Sequence, residues 1–103
     1  MLEPGQVLTV FRSRLRPDAY PGYGETAAAM AELARTMPGY VEHKAFTAED
    51  GERVTVVTFA DAESQRGWRE HLEHRAAQRR GVQEFYSTYS LQVAEVTSVS
   101  SFP

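Results

Sequence analysis

The chain has 103 residues, 42% hydrophobic and 24% charged, with a net charge of −3 and no cysteine. One core is the limit at this length, burying about 65% of the unfolded surface, and the balanced composition excludes a disordered chain. Thiol chemistry and disulfides are excluded, an acidic chain argues against general nucleic-acid binding, and no apolar run reaches the roughly 18 residues of a membrane span.

The first five residues lack the basic and apolar regions of a signal peptide, so a cytoplasmic protein is expected. From Gln6 to Arg16, "QVLTVFRSRLR" alternates Val7, Thr9, Phe11, Ser13 and Leu15 on one face, which predicts a first strand. "PDAYPGYG" carries two prolines and two glycines and reads as a loop that could form the mouth of a pocket. A helix is predicted over 25–37, with Thr26, Met30, Leu33 and Met37 on one face and Pro38-Gly39 as its stop. "YVEHKAFTA" and "RVTVVTF" are then two antiparallel strands joined through Asp50-Gly51, a dipeptide suited to a tight turn. Asp61 is the natural cap of a second helix whose inner stripe would be Gln65, Trp68, Leu72 and Ala76. Arg75, Arg79 and Arg80 suit the negative end of its dipole, and Gly81 suits its terminus. "EFYSTYSLQVAEV" alternates again and predicts a fourth strand, leaving residues 97–103 as a tail.

The order strand, helix, strand, strand, helix, strand is the ferredoxin-like βαββαβ arrangement, an α+β domain with an antiparallel sheet. A single domain over 1–103 is expected, with its core at about 6–96. Two helices cover one sheet face only. Yet the first strand offers Val7 and Phe11 on one side and Leu8 and Val10 on the other, and the third offers Val54, Val56 and Thr58 against Val57 and Phe59, so both faces want cover; leaving such groups in water forfeits roughly 1.5–3 kcal/mol each. A homodimer packed sheet against sheet is therefore expected.

The chemistry concentrates in "GWREHLEHRAAQRRG". His71 and His74 are spaced i, i+3, so both could project from one helical face, with Gly67 leaving room above them. Two imidazoles alone do not make a metal site: the spacing matches neither HExxH nor HxxEH, and a third ligand would have to come from His43 or a carboxylate. No metal is expected. A neutral histidine is the obvious acceptor for the proton of a phenol or quinol, which makes His71 and His74 the catalytic candidates. The ordinary alternative is a pair of surface histidines bonded to their neighbours. Trp68, the only tryptophan, either fills core or offers an aromatic ligand a flat wall. Arg75 could hold an anionic oxygen, while the other arginines suit a solvated face. Tyr86 and Tyr89 are candidate ligand-binding groups, but strict alternation sends them to opposite faces, so only one is expected in the pocket.

Taken together, "MPGYVEHKAF", "DGERVTVVTFADAESQRGWREHLEHRAAQRRG" and "FYSTYSLQVAEV" resemble the antibiotic biosynthesis monooxygenase family from about Val7 to Val96. The resemblance implies a dimeric α/β barrel with a cavity between helices and sheet in each subunit, and Trp68 falls at the family's pocket-lining tryptophan. Some members oxygenate phenols or quinols with neither metal nor flavin, the deprotonated substrate itself reducing oxygen. Related branches bind and open haem with an asparagine on the first strand; this chain has no asparagine, and His74 follows Trp68 more closely than that pattern requires. Leu72 stands where relatives with the histidine pair carry proline, so the helix is expected to run on through His74. The leading expectation is a monooxygenase without cofactor acting on a small aromatic, phenolic or quinol-like molecule. Haem binding or degradation is the second, and a non-catalytic ligand-binding or interaction dimer the third.

Overall fold

The computed structural model describes residues 2–17 and 22–103. Four strands, β1 (Val7–Leu15), β2 (Tyr40–Thr47), β3 (Arg53–Phe59) and β4 (Tyr86–Glu95), form one antiparallel sheet in the order β2-β3-β1-β4. Helices α1 (Tyr23–Thr36), α2 (Ala62–Glu70) and α3 (Leu72–Arg80) complete a ferredoxin-like α+β fold, and a π-helical turn, Gly81–Phe85, leads into β4. The strands richest in β-branched residues, β1 and β3, take the central places, where both faces need side chains that pack.

Helix α1 starts at Tyr23, earlier than the predicted Glu25, because Gly22 at φ 113° turns the chain into it. That early start puts Tyr23 on the helix. At the other end, Gly39 takes φ 79°, and a Cβ there would collide with Ser64. Its carbonyl accepts from the Ala60 N–H at 2.7 Å, which fixes the start of β2 against the end of β3. Asp61 caps α2 by accepting from the Ser64 N–H at 2.8 Å. The core lies between helices and sheet: Ala34, Val57, Phe59 and Trp68 are buried, and Met30, Leu33, Met37 and Tyr40 pack around them.

Three local features depart from the sequence reading. The second helix does not run through His74. It breaks at His71, whose backbone is extended at φ −62° and ψ 132°, and the chain restarts as α3. This is the conformation imposed on a residue that precedes proline, yet Leu72 occupies that place. Gly81 does not end the helix with a left-handed residue either. The helix widens there into the π-turn, and Gly81 is buried so close to Tyr86 that a Cβ would collide with its ring. Finally, β1 and β4 slip by one residue: Arg14 faces Thr88 but Leu15 faces Tyr86, so Ser87 is the extra residue of a β-bulge.

On the outer sheet face Leu8 and Val10 sit beside Val56 and Val54, and Phe46 opposite Val54 is 55% exposed. The expected loop mouth falls partly on residues 18–21, which lie outside the described residues. The C-terminal tail has no regular structure, but Val96, Ser98 and Val99 border an open groove on the outer face together with Leu2, Leu8 and Val56. No helix among the described residues is long and apolar enough to cross a membrane.

Candidate functional site

The helices stand off the sheet far enough to leave a cavity of about 220 Å³. Its floor is sheet: Thr9 and Phe11 from β1, His43 and Ala45 from β2, Thr55 and Val57 from β3, Tyr89 and Leu91 from β4. Its roof is helix: Tyr23, Thr26, Ala27 and Met30 from α1, Trp68 from α2, and His74, Ala77 and Gln78 from α3. For scale, an apolar cavity of about 150 Å³ already holds benzene. The space suits one substituted ring or a compact fused pair, and a tetrapyrrole would need far more.

Trp68 is both core and wall. It is buried against Phe59, with ring centroids 6.4 Å apart, and also lines the cavity. The His74 imidazole stacks on its indole at 4.0 Å with an interplanar angle of 16°. His74 Nδ1 lies 3.0 Å from the Trp68 carbonyl oxygen, and since a carbonyl only accepts, Nδ1 carries the proton. In the neutral ring the basic nitrogen is then Nε2. Burial holds the His74 pKa below the usual histidine value, the carbonyl bond offsets part of this, and nearby His71 lowers it further. At neutral pH the ring is a base rather than a cation.

The break at His71 decides which residues accompany it. A continuous helix would carry the inner stripe from Trp68 through Leu72 to Ala76. Restarting at Leu72 resets the phase, so His74, Ala77, Gln78 and then Gly81 turn inward, while Ala76 and Arg75 are exposed. His71 and Arg75 are not among the residues that line the cavity. The His71 backbone closes the end of α2, its N–H donating to the Trp68 carbonyl at 3.2 Å. Gly67 is exposed, and a Cβ there would meet nothing, so no space is reserved above the histidines.

Both Tyr86 and Tyr89 line the cavity, contrary to strict alternation. The bulge at Ser87 flips the pleat between them, and Phe11 packs against both rings, at 5.4 Å and 5.7 Å. Burial, with the adjacent Tyr23 hydroxyl, holds the Tyr86 phenol well above its ordinary pKa, so it stays protonated and able to donate. The sequence reading also missed two residues of the cavity lining, Arg53 and His43, and a buried polar contact made by Gln65. Arg53, at the start of β3, lies with its guanidinium carbon 5.5 Å from the Tyr23 ring centroid. His43 pairs with the Tyr40 hydroxyl at 2.7 Å. Gln65, read as part of an apolar stripe, is buried on α2 and donates to Oγ1 of the floor residue Thr9 at 3.1 Å. Arg53 and His43 stand at alternate positions with floor residues, which was the available signal. Among the described residues no three His, Asp or Glu side chains come together as a metal site.

A four-stranded antiparallel sheet covered on one face by helices, with a largely apolar cavity between the layers, places the protein in the ferredoxin-like α+β class. The particular family follows from sequence: the model of the antibiotic biosynthesis monooxygenases matches residues 7–80. An uncharacterized Bacillus subtilis (strain 168) protein, YqjZ, is 34% identical over 94 residues, covering 91% of this chain and 82% of that one. The chain belongs to the antibiotic biosynthesis monooxygenase family. Among solved structures, Rv0793 of Mycobacterium tuberculosis superposes with a TM-score of 0.81 at 18% identity, over 93% of this chain and 99% of that one. A variant of SnoaB, a cofactor-independent oxygenase from Streptomyces nogalater, gives 0.78 at 16% identity, over 96% and 98%.

Proposed function

We propose that this protein is a cofactor-independent monooxygenase acting on a small phenolic or quinol-like compound. The observation that carries the reading is His74: a neutral imidazole, fixed by its Nδ1–H to the Trp68 carbonyl and stacked on the indole, at the wall of a cavity sized for one or two rings. Nε2 of His74 takes the proton of a ring hydroxyl, and the electron-rich anion then reduces oxygen directly. A hydroquinone would gain one oxygen atom as a hydroxyquinone while the other leaves as water, so hydroquinone plus O2 balances hydroxyquinone plus water with no further reductant. Trp68 forms the flat wall. Tyr86, protonated, and Tyr89 hold ligand oxygens on the sheet side. In this reading His71 acts through its place at the helix break, where it sets the phase of α3, and Arg75, which is exposed and does not line the cavity, is given no role.

Oxygen uptake with a panel of quinols tests the reading. Turnover is expected with wild type, and His74→Gln should lower kcat/KM by about 10²–10⁴-fold, the usual contribution of a positioned base. Equal rates for the two proteins would remove His74 as the base. Oxygen uptake absent from every compound that binds would leave the non-catalytic ligand-binding domain as the correct description.

We also infer that the apolar outer sheet face is covered by a second copy. Support comes from Phe46 and Val99, 55% and 40% exposed, beside the half-buried Leu8, Val10, Val54 and Val56.

A further inference from the structure

We infer that Arg53 makes the cavity selective for aromatic ligands that carry an anionic substituent, a carboxylate above all; this rests on the ring-binding role proposed for the same cavity. Five observations bear on it. Arg53 is half-buried and lines the cavity. Its guanidinium lies over the Tyr23 ring, which orients the fork and holds part of the cation away from water. Arg12, Arg14, Arg35 and Arg80 each pair with a carboxylate, but among the described residues none pairs with Arg53. Among the described residues no aspartate or glutamate lines the cavity, and the other titratable groups along it are His43, His74 and the tyrosines. Finally, the wall is otherwise largely apolar, so the field of a cation is screened less there than at the surface.

A half-sequestered guanidinium without an anion is an incomplete pair, and a planar fork matches a carboxylate through two parallel hydrogen bonds. The ligand would supply that anion. Arg53 belongs to the Tyr23–Tyr86 part of the wall, whereas His74 is stacked on Trp68. In the proposed complex one ring presents an ionised substituent to Arg53 and a hydroxyl to His74, both of which line the cavity. The Tyr86 phenol, held protonated, is a second donor beside the same substituent. A neutral hydroquinone would leave Arg53 unpaired, and a cationic ligand would be repelled. Specificity then comes from β3, an element remote from the helix that carries the base.

The test is calorimetric titration under anaerobic conditions with gentisate and its neutral amide, gentisamide, which share the ring and both hydroxyls. Wild type is expected to bind gentisate at least about tenfold more tightly, the scale of a charge-assisted hydrogen bond. Arg53→Gln should bind the two compounds with similar affinity, and Arg53→Lys should keep part of the preference. Thermal midpoints of both variants check that the fold is intact; if Arg53→Gln does not fold, the Arg53→Lys preference, reduced but present, carries the test. Equal affinity of wild type for the two compounds, tighter binding of the amide, binding of neither, or a preference that survives Arg53→Gln would each overturn the inference. Oxygen is absent throughout, so a gentisate preference without later oxygen uptake would retain Arg53 as the selective group while removing the monooxygenase reading.

Discussion

His74 is held by two contacts with one residue, the Trp68 carbonyl and the Trp68 ring, so its state follows from its surroundings rather than from its own type. Its depressed pKa has a definite sign. The unfolded chain takes up a proton near pH 6.5 and the folded chain only at lower pH, so stability rises with pH across that window and levels off above it. Urea midpoints measured between pH 5 and 7 should rise, and His74→Gln should flatten that slope. The acid limb of kcat/KM should lie below the ordinary histidine value for the same reason. Trp68 needs a gentler probe, because truncating a buried aromatic costs about 3–5 kcal/mol and confuses wall with core. Trp68→Phe should keep the fold and weaken ring binding. Phe59→Ala, at a fully buried core position outside the cavity lining, should cost the same 3–5 kcal/mol with no change in ligand preference in the folded fraction. Chemical denaturation with calorimetry on each variant separates the two effects.

At the scale of elements, the site depends on three irregularities: the break at His71, the π-turn and the bulge at Ser87. Because His71 already has a pre-proline backbone and Leu72 opens α3, Leu72→Pro should change stability by no more than about 1 kcal/mol. Proline at Ala76, inside the same helix, should cost about 3 kcal/mol. If the two substitutions are equally destabilising in urea titrations, the break does not lie at His71. The π-turn is held from outside by Arg16, whose Nε donates to the Tyr86 carbonyl at 3.0 Å and whose terminal nitrogen donates to that of Val82 at 2.9 Å. Those carbonyls have no helical successor to bond, so Arg16→Met should loosen the turn that carries Phe85 and Tyr86, lowering ligand affinity more than global stability. Gly81→Ala should do the same by displacing the Tyr86 ring.

The whole molecule is a two-layer domain with one face finished and one open. The cavity lies under its finished face. On the open face, the apolar row Leu8, Val10, Val54 and Val56 lies among charged groups such as Arg12, Glu42 and Lys44, a mixture suited to a self-complementary interface. Light scattering at micromolar concentration should give twice the chain mass, and Phe46→Glu with Val99→Glu should shift it towards the monomer. A monomeric wild type would leave that face without its proposed cover.

How much of this was legible in the sequence follows from the range of the forces involved. Alternating apolar residues and the Asp61, Gly39 and Gly51 signals are local, so element order, the ferredoxin-like topology and a helix-to-sheet core around Trp68 could be read directly. The quoted motifs likewise carried the family resemblance. What needed the tertiary structure was phase. A one-residue bulge turned Tyr86 to the side of Tyr89, and an extended His71 rotated His74 inward and Arg75 outward. Neither shift has a local signature, since Ser87 and Leu72 are ordinary residues for a strand and a helix. Each is imposed by packing: Phe11 against two tyrosine rings, and imidazole against indole. The placement of Arg53 is of the same kind, because an arginine at the head of a strand becomes a half-buried cation on the cavity wall only when a helix brings Tyr23 against it.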